Sequence, residues 1–255
     1  MPSKDNYMPS KAQIKLIRSL HLKKYRKEHR LFVAEGTVNV LDFLENDAET
    51  VNFYATEKWL KKFGSEINIS PETVPTKVMA QMTHLKTPSE VLAVFKIPEN
   101  KPLYPNDIND LVLALDNIND PGNLGTIIRT ADWFGIKNIV CSHETVDAFN
   151  PKVVQATMGS LMRVNITYSN LKEFFSAAKA TEIIGAYLEG IDAKEIKKPV
   201  KGILLIGNEA HGISDDLAAY VTQKVTIPRY GNNKKHAESL NASIATAILC
   251  YEFRR

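Results

Sequence analysis

One arginine is notable because it follows an acidic, turn-rich loop by only a few residues. An apolar run ends at Asp116, and the stretch NINDPGN leads into a helical pattern that carries Arg129 in its first turns. A guanidinium near a helix N-terminus is a good anion site, and phosphate is the anion that fits it best. The structural alternative is that Asn123 caps the helix while Arg129 pairs with Asp116, Asp120 or Asp132. This loop alone leaves both interpretations open.

A second loop, from Gly207 to Gly212, follows the apolar run GILLI and carries Glu209. Its glycine spacing is that of a P-loop, but Ile213 stands where the phosphate-binding lysine would be. The missing lysine disfavours a site for nucleotide phosphates. No G-x-G-x-x-G follows a predicted strand, so a dinucleotide site is disfavoured as well. Glycines here would let a ligand approach the backbone closely. His211 has no partner at metal-ligand spacing, so we interpret it as a surface or packing residue and predict no metal site.

A third loop follows the apolar run KVTIP and is rich in glycine, asparagine and lysine. It leads to Ser239, whose place before an apolar helical pattern is typical of a helix N-cap. Small residues such as Ala242, Ala245 and Ala247 lie on one face of the helix that follows. They would allow close packing inside the domain or across a dimer. A loop followed by a capped core helix explains the stretch as well.

The elements that must position these loops alternate between strands and helices. Six apolar runs of the C-terminal half are predicted strands: LVLALD, IKNIVCS, RVNITY, EIIGAYL, GILLIG and KVTIP. Short strands separated by helices predict an α/β fold with a mostly parallel sheet covered on both faces. Such sheets bind ligands beyond the carboxyl ends of their strands. The three loops follow Asp116, Ile206 and Pro228, each at the end of a predicted strand.

A proline-rich polar stretch, 98–110, predicts a linker between two domains. Residues 1–97 are predicted to form a small α/β domain, and residues 111–255 a larger one with the three loops. The first thirty residues are basic, which suits a polyanion, although a solvated helix face explains the charge as well. The cations that we predict to bind the phosphates of such a polyanion are Lys23, Lys24, Arg26 and Lys27.

The composition is typical of a globular protein, with 44% hydrophobic and 24% charged residues and a net charge of +3. The two cysteines, Cys141 and Cys250, are too few for a disulfide scaffold or a cysteine-ligated zinc site, so we expect a reducing, cytoplasmic setting. The N-terminus has no apolar run of signal-peptide length. No later run is long enough to span a bilayer, so we predict no membrane association.

Taken together and in order, the three loops resemble those of the SpoU (TrmH-like) RNA 2′-O-ribose methyltransferases of the SPOUT class. The family's first pattern, N-x-x-D-P-x-N-x-G-x-I-x-R-x-A-x-x-F-G, is matched by Asn117, Asp120, Pro121, Asn123, Gly125, Ile127, Arg129, Ala131, Phe134 and Gly135. The second and third patterns are matched by Gly207, Glu209, Gly212, Ile227, Pro228, Ser239, Leu240, Asn241, Ser243 and Ala245. The resemblance covers Leu111 to Glu252, and the first hundred residues resemble the L30e-like RNA-binding domain of many members.

This resemblance implies an α/β SPOUT domain whose C-terminal segment threads a trefoil knot, and a homodimer whose site is completed across the interface. It implies S-adenosylmethionine as the cofactor, held by Ile206, Gly207, Ile227, Pro228 and Leu240. The residues that it places in the catalytic site are Arg129, Asn123, Glu209, Ser239 and Asn241.

The implied activity is 2′-O-methylation of a ribose in structured RNA, with ribosomal RNA preferred over transfer RNA. Family members are proposed to use the residue at Arg129 as a base, but a guanidinium hardly deprotonates in proteins. We therefore expect Arg129 to anchor the adjacent phosphate and to stabilise negative charge on the reacting oxygen. A non-catalytic RNA-binding or ribosome-assembly protein on the same fold is one alternative. Another nucleotide-binding α/β enzyme is disfavoured by the missing P-loop lysine.

Two departures from the family pattern stand out. The loop between Pro228 and Ser239 is long and contains Lys234, Lys235 and His236, which would add phosphate contacts or only lengthen the loop. The family's usual valine after S-L-N is Ala242, a mild change.

Overall fold

The computed structural model describes residues 7–99, 101–178, 181–197, 201–230 and 238–255. The chain forms two compact units: a first unit, Met1–Glu99 with Asp147–Met162, and a second unit, Asn100–Val146 with Arg163–Arg255. The boundary after Glu99 lies inside the linker predicted at 98–110. The segment Asp147–Met162 differs from our expectation, because we placed it in the C-terminal domain and it belongs to the first unit.

The first unit is a small α/β domain built on a four-stranded sheet. Its elements are α1 (Lys11–Ser19), α2 (Lys23–His29), β1 (Leu31–Glu35), α3 (Thr37–Glu45), β2 (Thr50–Ala55), α4 (Glu57–Phe63), a 3-10 turn (Gly64–Glu66), β3 (Glu72–Thr73), α5 (Thr76–Met82) and β4 (Val91–Lys96). The strand order is β1-β4-β2-β3, with β4 antiparallel to both neighbours and β2 parallel to β3. The predicted small α/β domain is therefore confirmed.

The core of the first unit includes an aromatic cluster. The ring centroids of Phe32, Phe43 and Phe95 lie 5.2–5.6 Å apart, and Phe149 lies 5.0 Å from Phe32. Phe149 belongs to the segment Asp147–Met162, whose helix packs on β1. Aromatic rings at these distances pack favourably, so this late segment of the chain completes the core of the first unit.

The second unit alternates strands and helices. Its elements are a 3-10 turn (Pro105–Asp107), β5 (Leu111–Leu115), α6 (Pro121–Trp133), β6 (Asn138–Cys141), β7 (Asn165–Tyr168), α8 (Leu171–Ala177), β8 (Ile183–Asp192), β9 (Gly202–Ile206), α9 (Asp215–Ala218), β10 (Gln223–Thr226) and α10 (Ala242–Arg254). Between β6 and β7 the chain contributes α7 (Pro151–Thr157) and a 3-10 turn (Ser160–Met162) to the first unit.

The sheet of the second unit has the order β10-β8-β9-β5-β6-β7, and each pair of neighbours is parallel. Every residue of β5 and β9 is buried, as expected for strands covered on both faces. The pairing of Leu115 with Ile206 places the ends of these two strands side by side. The predicted parallel sheet is confirmed, and the loops after β5, β9 and β10 leave it at the same edge.

Helices α6 and α10 run side by side in the same direction. Near their N-termini, Asn241 donates a hydrogen bond to Asn123. Near their C-termini, Arg254 donates to the carbonyl of Gly135 and forms two hydrogen bonds of 2.7 and 3.0 Å with the carboxylate of Asp110. The N-termini of the two helices therefore lie next to each other in the second unit.

Two expectations concern residues outside the described ranges. Lys234, Lys235 and His236 lie in 231–237, and the path of a knotted C-terminal segment includes these positions, so the knot stays a prediction. Across the described ranges, no helix combines the length and apolar character needed to cross a membrane.

Candidate functional site

Two of the motif loops are joined at the carboxyl edge of the second unit's sheet. The carboxylate of Asp116, at the end of β5, is buried and accepts a hydrogen bond of 2.8 Å from the backbone N–H of Ser214. Asn117 follows with a positive φ of 57°, a conformation that asparagine tolerates better than most residues. Its carbonyl accepts a 2.7 Å hydrogen bond from the side chain of Asn208. The loop after β5 and the loop after β9 are thus fixed to each other.

Asn123 connects these loops to the third one. Its Nδ2 donates to Oε1 of Glu209 at 2.6 Å, and its Oδ1 accepts from Nδ2 of Asn241 at 2.9 Å. The Oδ1 of Asn241 accepts from the backbone N–H groups of Ser243 and Ile244 and so caps α10. A carboxylate can only accept hydrogen bonds, so Glu209 fixes the orientation of the Asn123 amide, which in turn fixes that of Asn241. We call these three residues the amide network.

The helix caps differ by a few residues from those predicted. Asp120, not Asn123, is the N-cap of α6: its Oδ1 accepts from the backbone N–H of Asn123 at 2.8 Å, and Pro121 occupies the first helical position. Asn241, not Ser239, is the N-cap of α10. Both capping predictions were wrong. The consequence for the site is that the side chain of Asn123 is free to join the amide network, while Ser239 is exposed two residues before the cap.

The loop after β9 is closed by its own backbone. Asn208 and Gly212 exchange two backbone hydrogen bonds of 2.9 Å, and the side chain of Asn208 accepts from the N–H groups of Ala210 and His211. A Cβ on Gly207 would lie 2.2 Å from the carbonyl carbon of Gly212. Glycine is therefore required at 207 by closure of the loop itself. A contact between its backbone and a ligand stays a prediction.

Arg129 makes no hydrogen bond and no ion pair within the described residues, and its side chain is exposed. The three acids considered as its partners are engaged elsewhere. Asp116 accepts from Ser214, Asp120 caps α6, and Asp132 pairs with Arg163 at 2.9 Å. These contacts exclude the structural alternative for Arg129 within this part of the chain, and the guanidinium is available for a ligand.

Arg129 lies on a different face of α6 from the amide network. It follows Asn123 by six residues, which corresponds to a rotation of about 240° around the helix axis. The exposed positions of α6 form one stripe: Gly122, Thr126, Arg129 and Trp133. The chain therefore places Arg129 on the outer surface of the second unit, not inside the network that joins the three loops.

The five positions predicted to hold the cofactor lie near the ends of two strands and the start of a helix: Ile206 and Gly207 at the end of β9, Ile227 and Pro228 after β10, and Leu240 just before α10. Ile206 ends β9 and is buried, and its carbonyl already accepts a 2.9 Å hydrogen bond from the N–H of Asp116. Ile227 and Pro228 follow β10 and are half-buried, whereas Leu240 is exposed. Half-buried apolar side chains beside loop backbone fit an adenosine ligand held by backbone groups. The residues present are therefore compatible with S-adenosylmethionine.

The structure divides the four cations predicted to bind RNA. Lys23, Lys24 and Lys27 are exposed on α2. Arg26 is only 2% exposed, and all three of its nitrogens are occupied: Nε and Nη2 contact Asp147 at 3.0 and 2.6 Å, while Nη1 donates to two backbone carbonyls. The prediction that Arg26 binds RNA is wrong, because its guanidinium is buried and already paired.

The fold and this edge define a class of protein. A parallel α/β domain with a polar site beyond the carboxyl ends of its strands, joined to a small α/β domain, is built to bind a ligand at that edge.

The chain belongs to the SpoU rRNA methylase family, whose model matches residues 110–251. The model of the MRM3-like substrate binding domain matches residues 11–93. The predicted family and the predicted class of enzyme, an RNA methyltransferase, are confirmed.

Relatives match over nearly the whole chain. The 23S rRNA (guanosine-2′-O)-methyltransferase RlmP of Bacillus subtilis is 31% identical over 95% of this chain and 96% of its own. A TrmH-family structure from Porphyromonas gingivalis is 36% identical, with a TM-score of 0.84 over 97% of this chain and 99% of the other. An AdoMet-bound rRNA methyltransferase structure from Sinorhizobium meliloti is 32% identical, with a TM-score of 0.81 over 97% and 96%.

Proposed function

We propose that this protein transfers a methyl group from S-adenosylmethionine to the 2′-hydroxyl of a ribose in ribosomal RNA. The observation that carries the proposal is the free guanidinium of Arg129 on the second unit of a SpoU-family chain. Three acids lie close in sequence and none of them neutralises it. An exposed cation without a partner suits the phosphate next to the reacting ribose.

The chemistry asks little of the protein beyond alignment. Bound S-adenosylmethionine supplies a methyl group on a sulfonium, so neither a metal nor an acyl intermediate is needed. The ribose hydroxyl is a weak nucleophile and must be oriented and must lose its proton. Arg129 stays protonated, and we assign to it the anchoring of the phosphate and the stabilisation of negative charge on the attacking oxygen.

The amide network orients the site. Asn123, Glu209 and Asn241 join the three loops by hydrogen bonds of 2.6 and 2.9 Å. We assign them the role of holding the loop after β9 and the start of α10 in register. Ser239, exposed beside this network, would contact the substrate. The backbone of Gly207, with Ile206, Ile227, Pro228 and Leu240, would hold the cofactor.

We propose that the active form is a homodimer that uses the exposed face of α6 and α10. Large apolar side chains are exposed on this face: Trp133, Leu240, Ile244, Ile248 and Tyr251. Contiguous exposed apolar residues on a soluble domain commonly mark a protein interface. Because Arg129 lies on the exposed stripe of α6 and outside its own amide network, we propose that it serves the site of the partner subunit.

Ribosomal RNA is the preferred substrate because the first unit has a matching counterpart in a full-length 23S rRNA methyltransferase relative. Lys23, Lys24 and Lys27 would contact its phosphates. We also propose a cytoplasmic setting, since both cysteines are buried and free, as expected in a reducing compartment.

The experiment that tests the activity is mass-spectrometric mapping of 2′-O-methyl groups in RNA from cells with and without this protein. We expect one ribosomal site to lose its methyl group and to regain it when purified protein and S-adenosylmethionine are added. The variant Arg129→Ala is the matched control and should restore little. Loss of a methyl group from transfer RNA alone would contradict the ribosomal assignment. Failure to bind S-adenosylmethionine in calorimetry would favour a non-catalytic RNA-binding protein.

The dimer is tested by mixing two inactive variants, Arg129→Ala and Asn123→Ala. If Arg129 acts on the partner's site, a mixed dimer contains one site with an intact network and an intact arginine, so activity returns. If Arg129 acts within its own chain, every site in the mixture lacks one residue and the mixture stays inactive.

A further inference from the structure

Helix α1 of the first unit carries a row of cations along one side. Lys11, Lys15 and Arg18 are spaced by four and three residues, so their side chains lie on one face of the helix. All three are exposed, while Ile17 on the opposite face is buried. The row extends from Lys11 to Arg18, seven steps or about 10 Å along the helix axis. The helix contains no acidic residue that could neutralise it.

These cations line a groove between α1 and α5. The groove has a volume of about 380 Å³ and is lined by Lys11, Ile14, Lys15, Arg18 and Gln81. Ile14 is half-buried and supplies an apolar floor, and Gln81 on α5 supplies an uncharged hydrogen-bonding group on the other side. Three cations on one wall and a neutral amide on the other suit an elongated anion.

The cations of the groove differ from other cations of the first unit in having no partner. Within the described residues, Lys11, Lys15 and Arg18 form no ion pair and no side-chain hydrogen bond. By contrast, Lys58 pairs with Glu90 at 2.7 Å and Lys61 pairs with Glu57 at 2.8 Å, both on the surface of the same unit. Unpaired cations in a row attract phosphates and release the counterions condensed on them.

We propose that this α1–α5 groove binds the ribose–phosphate backbone of the substrate RNA. The inference rests on the proposed function and adds a surface whose lining includes none of the α2 lysines that we predict to bind RNA. A row of three charges fits successive phosphates of one strand better than a single phosphate group. Contacts of this kind set the position of the RNA and carry no base specificity.

The test compares two variants that lose the same charge from the same unit. The groove variant is Lys11→Gln/Lys15→Gln/Arg18→Gln, and the control variant is Lys58→Gln/Lys61→Gln/Lys62→Gln on α4. The probe is a fluorescein-labelled transcript of a 23S rRNA domain, and its dissociation constant is measured by anisotropy from 50 to 300 mM KCl. Thermal melting verifies that both variants fold, and calorimetry measures their binding of S-adenosylmethionine.

We expect the groove variant to bind the RNA on the order of 100-fold more weakly at 0.1 M salt, with a salt slope lowered by two to three. The control variant should change less than about threefold, since Lys58 and Lys61 are already paired with Glu90 and Glu57 and Lys62 lies over the ring of Phe63. Equal weakening in both variants, or an unchanged salt slope in the groove variant, would overturn the proposal. A competition experiment gives a further test, in which polyglutamate of matched charge is added to the labelled RNA. If it displaces the RNA as well as unlabelled RNA does, the groove is an acidic-peptide site and the proposal is overturned. If the unaltered protein does not bind S-adenosylmethionine in calorimetry, the proposed function is contradicted instead.

Discussion

Arg26 in the first unit and Arg129 in the second carry the same guanidinium into opposite environments. Arg26 is buried and each of its nitrogens has a protein partner. Arg129 is exposed and has none within the described residues. Sequence favoured the reverse for Arg26, because it lies in a basic segment. For Arg129 the loop alone left two roles open, and the resemblance to the family favoured a phosphate anchor. A cation that already has protein partners serves the structure, and an exposed cation without partners can bind a ligand. The density of positive charge along the sequence does not distinguish the two.

The largest expected effect tests the structural side of this comparison. Arg26→Met should lower the free energy of unfolding of the first unit by about 3–5 kcal/mol, because Asp147 loses its partner while it remains mostly buried. Chemical denaturation followed by circular dichroism measures this. Lys27→Gln, one residue away and exposed, is the control and should change stability by less than about 0.5 kcal/mol. Equal stability of the two variants would mean that the pair with Asp147 does not hold the first unit together.

The recognition side predicts a loss of turnover with no loss of stability. Arg129→Ala should reduce kcat for methyl transfer by about 10²–10³-fold, the range seen when a group that stabilises developing charge is removed. Its melting temperature should stay that of the unaltered protein, since the guanidinium has no partner to lose. Arg129→Lys keeps the charge but not the forked geometry. Near-normal turnover in this variant would contradict a bidentate phosphate anchor.

The amide network lies between these two extremes, because its residues both hold structure and orient the site. Asn241→Ala should destabilise the second unit by about 1 kcal/mol through loss of the α10 cap, and should also lower turnover. Asn241→Asp keeps the cap but cannot donate to Asn123, so it should lose turnover while the cap of α10 is retained. Full activity in the aspartate variant would limit the role of Asn241 to capping.

The smallest effect concerns a side chain that folding keeps uncharged. Burial lowers the pKa of His84, although the carbonyl of Ile17 and the carboxylate of Glu35 oppose this. Because the folded value lies below the unfolded value of about 6.5, the unfolded chain binds more protons as the pH falls past it. The first unit should therefore lose stability as the pH falls through about 6.5. This loss should be smaller in His84→Gln, and an identical pH profile would contradict the assignment.

Much of the second unit could be predicted from local patterns. Each of its six strands overlaps an apolar run that the sequence makes visible, although β8 continues to Asp192, past the end of its run. Parallel pairing alone brings the loops after β5, β9 and β10 to one edge. The family followed from three motifs in order. The N-cap of α6 was recoverable as well: Asp120 precedes Pro121, and proline favours the first helical position. The prediction of Asn123 as the cap was wrong because its side chain bonds to Glu209 and Asn241 instead.

Contacts between distant residues could not be predicted from one sequence. Arg26 and Asp147 are 121 positions apart, so no periodicity or spacing relates them. The same holds for Asn123 and Asn241, which are 118 positions apart. For Arg129 the sequence could not show that the three nearby acids, Asp116, Asp120 and Asp132, have other partners. Such facts appear only when every partner in the neighbourhood is known.

The membership of Asp147–Met162 in the first unit has a consequence for synthesis on the ribosome. The first unit is interrupted in the chain by residues of the second, and it needs Phe149 for its aromatic core and Asp147 for the charge of Arg26. A nascent chain that ends near residue 99 therefore exposes an unfilled core and an unpaired buried cation. The first unit can complete its core only after more than sixty further residues have been translated. By then part of the methyltransferase domain has already been made. A fragment cut at the linker should for the same reason be a poor folder.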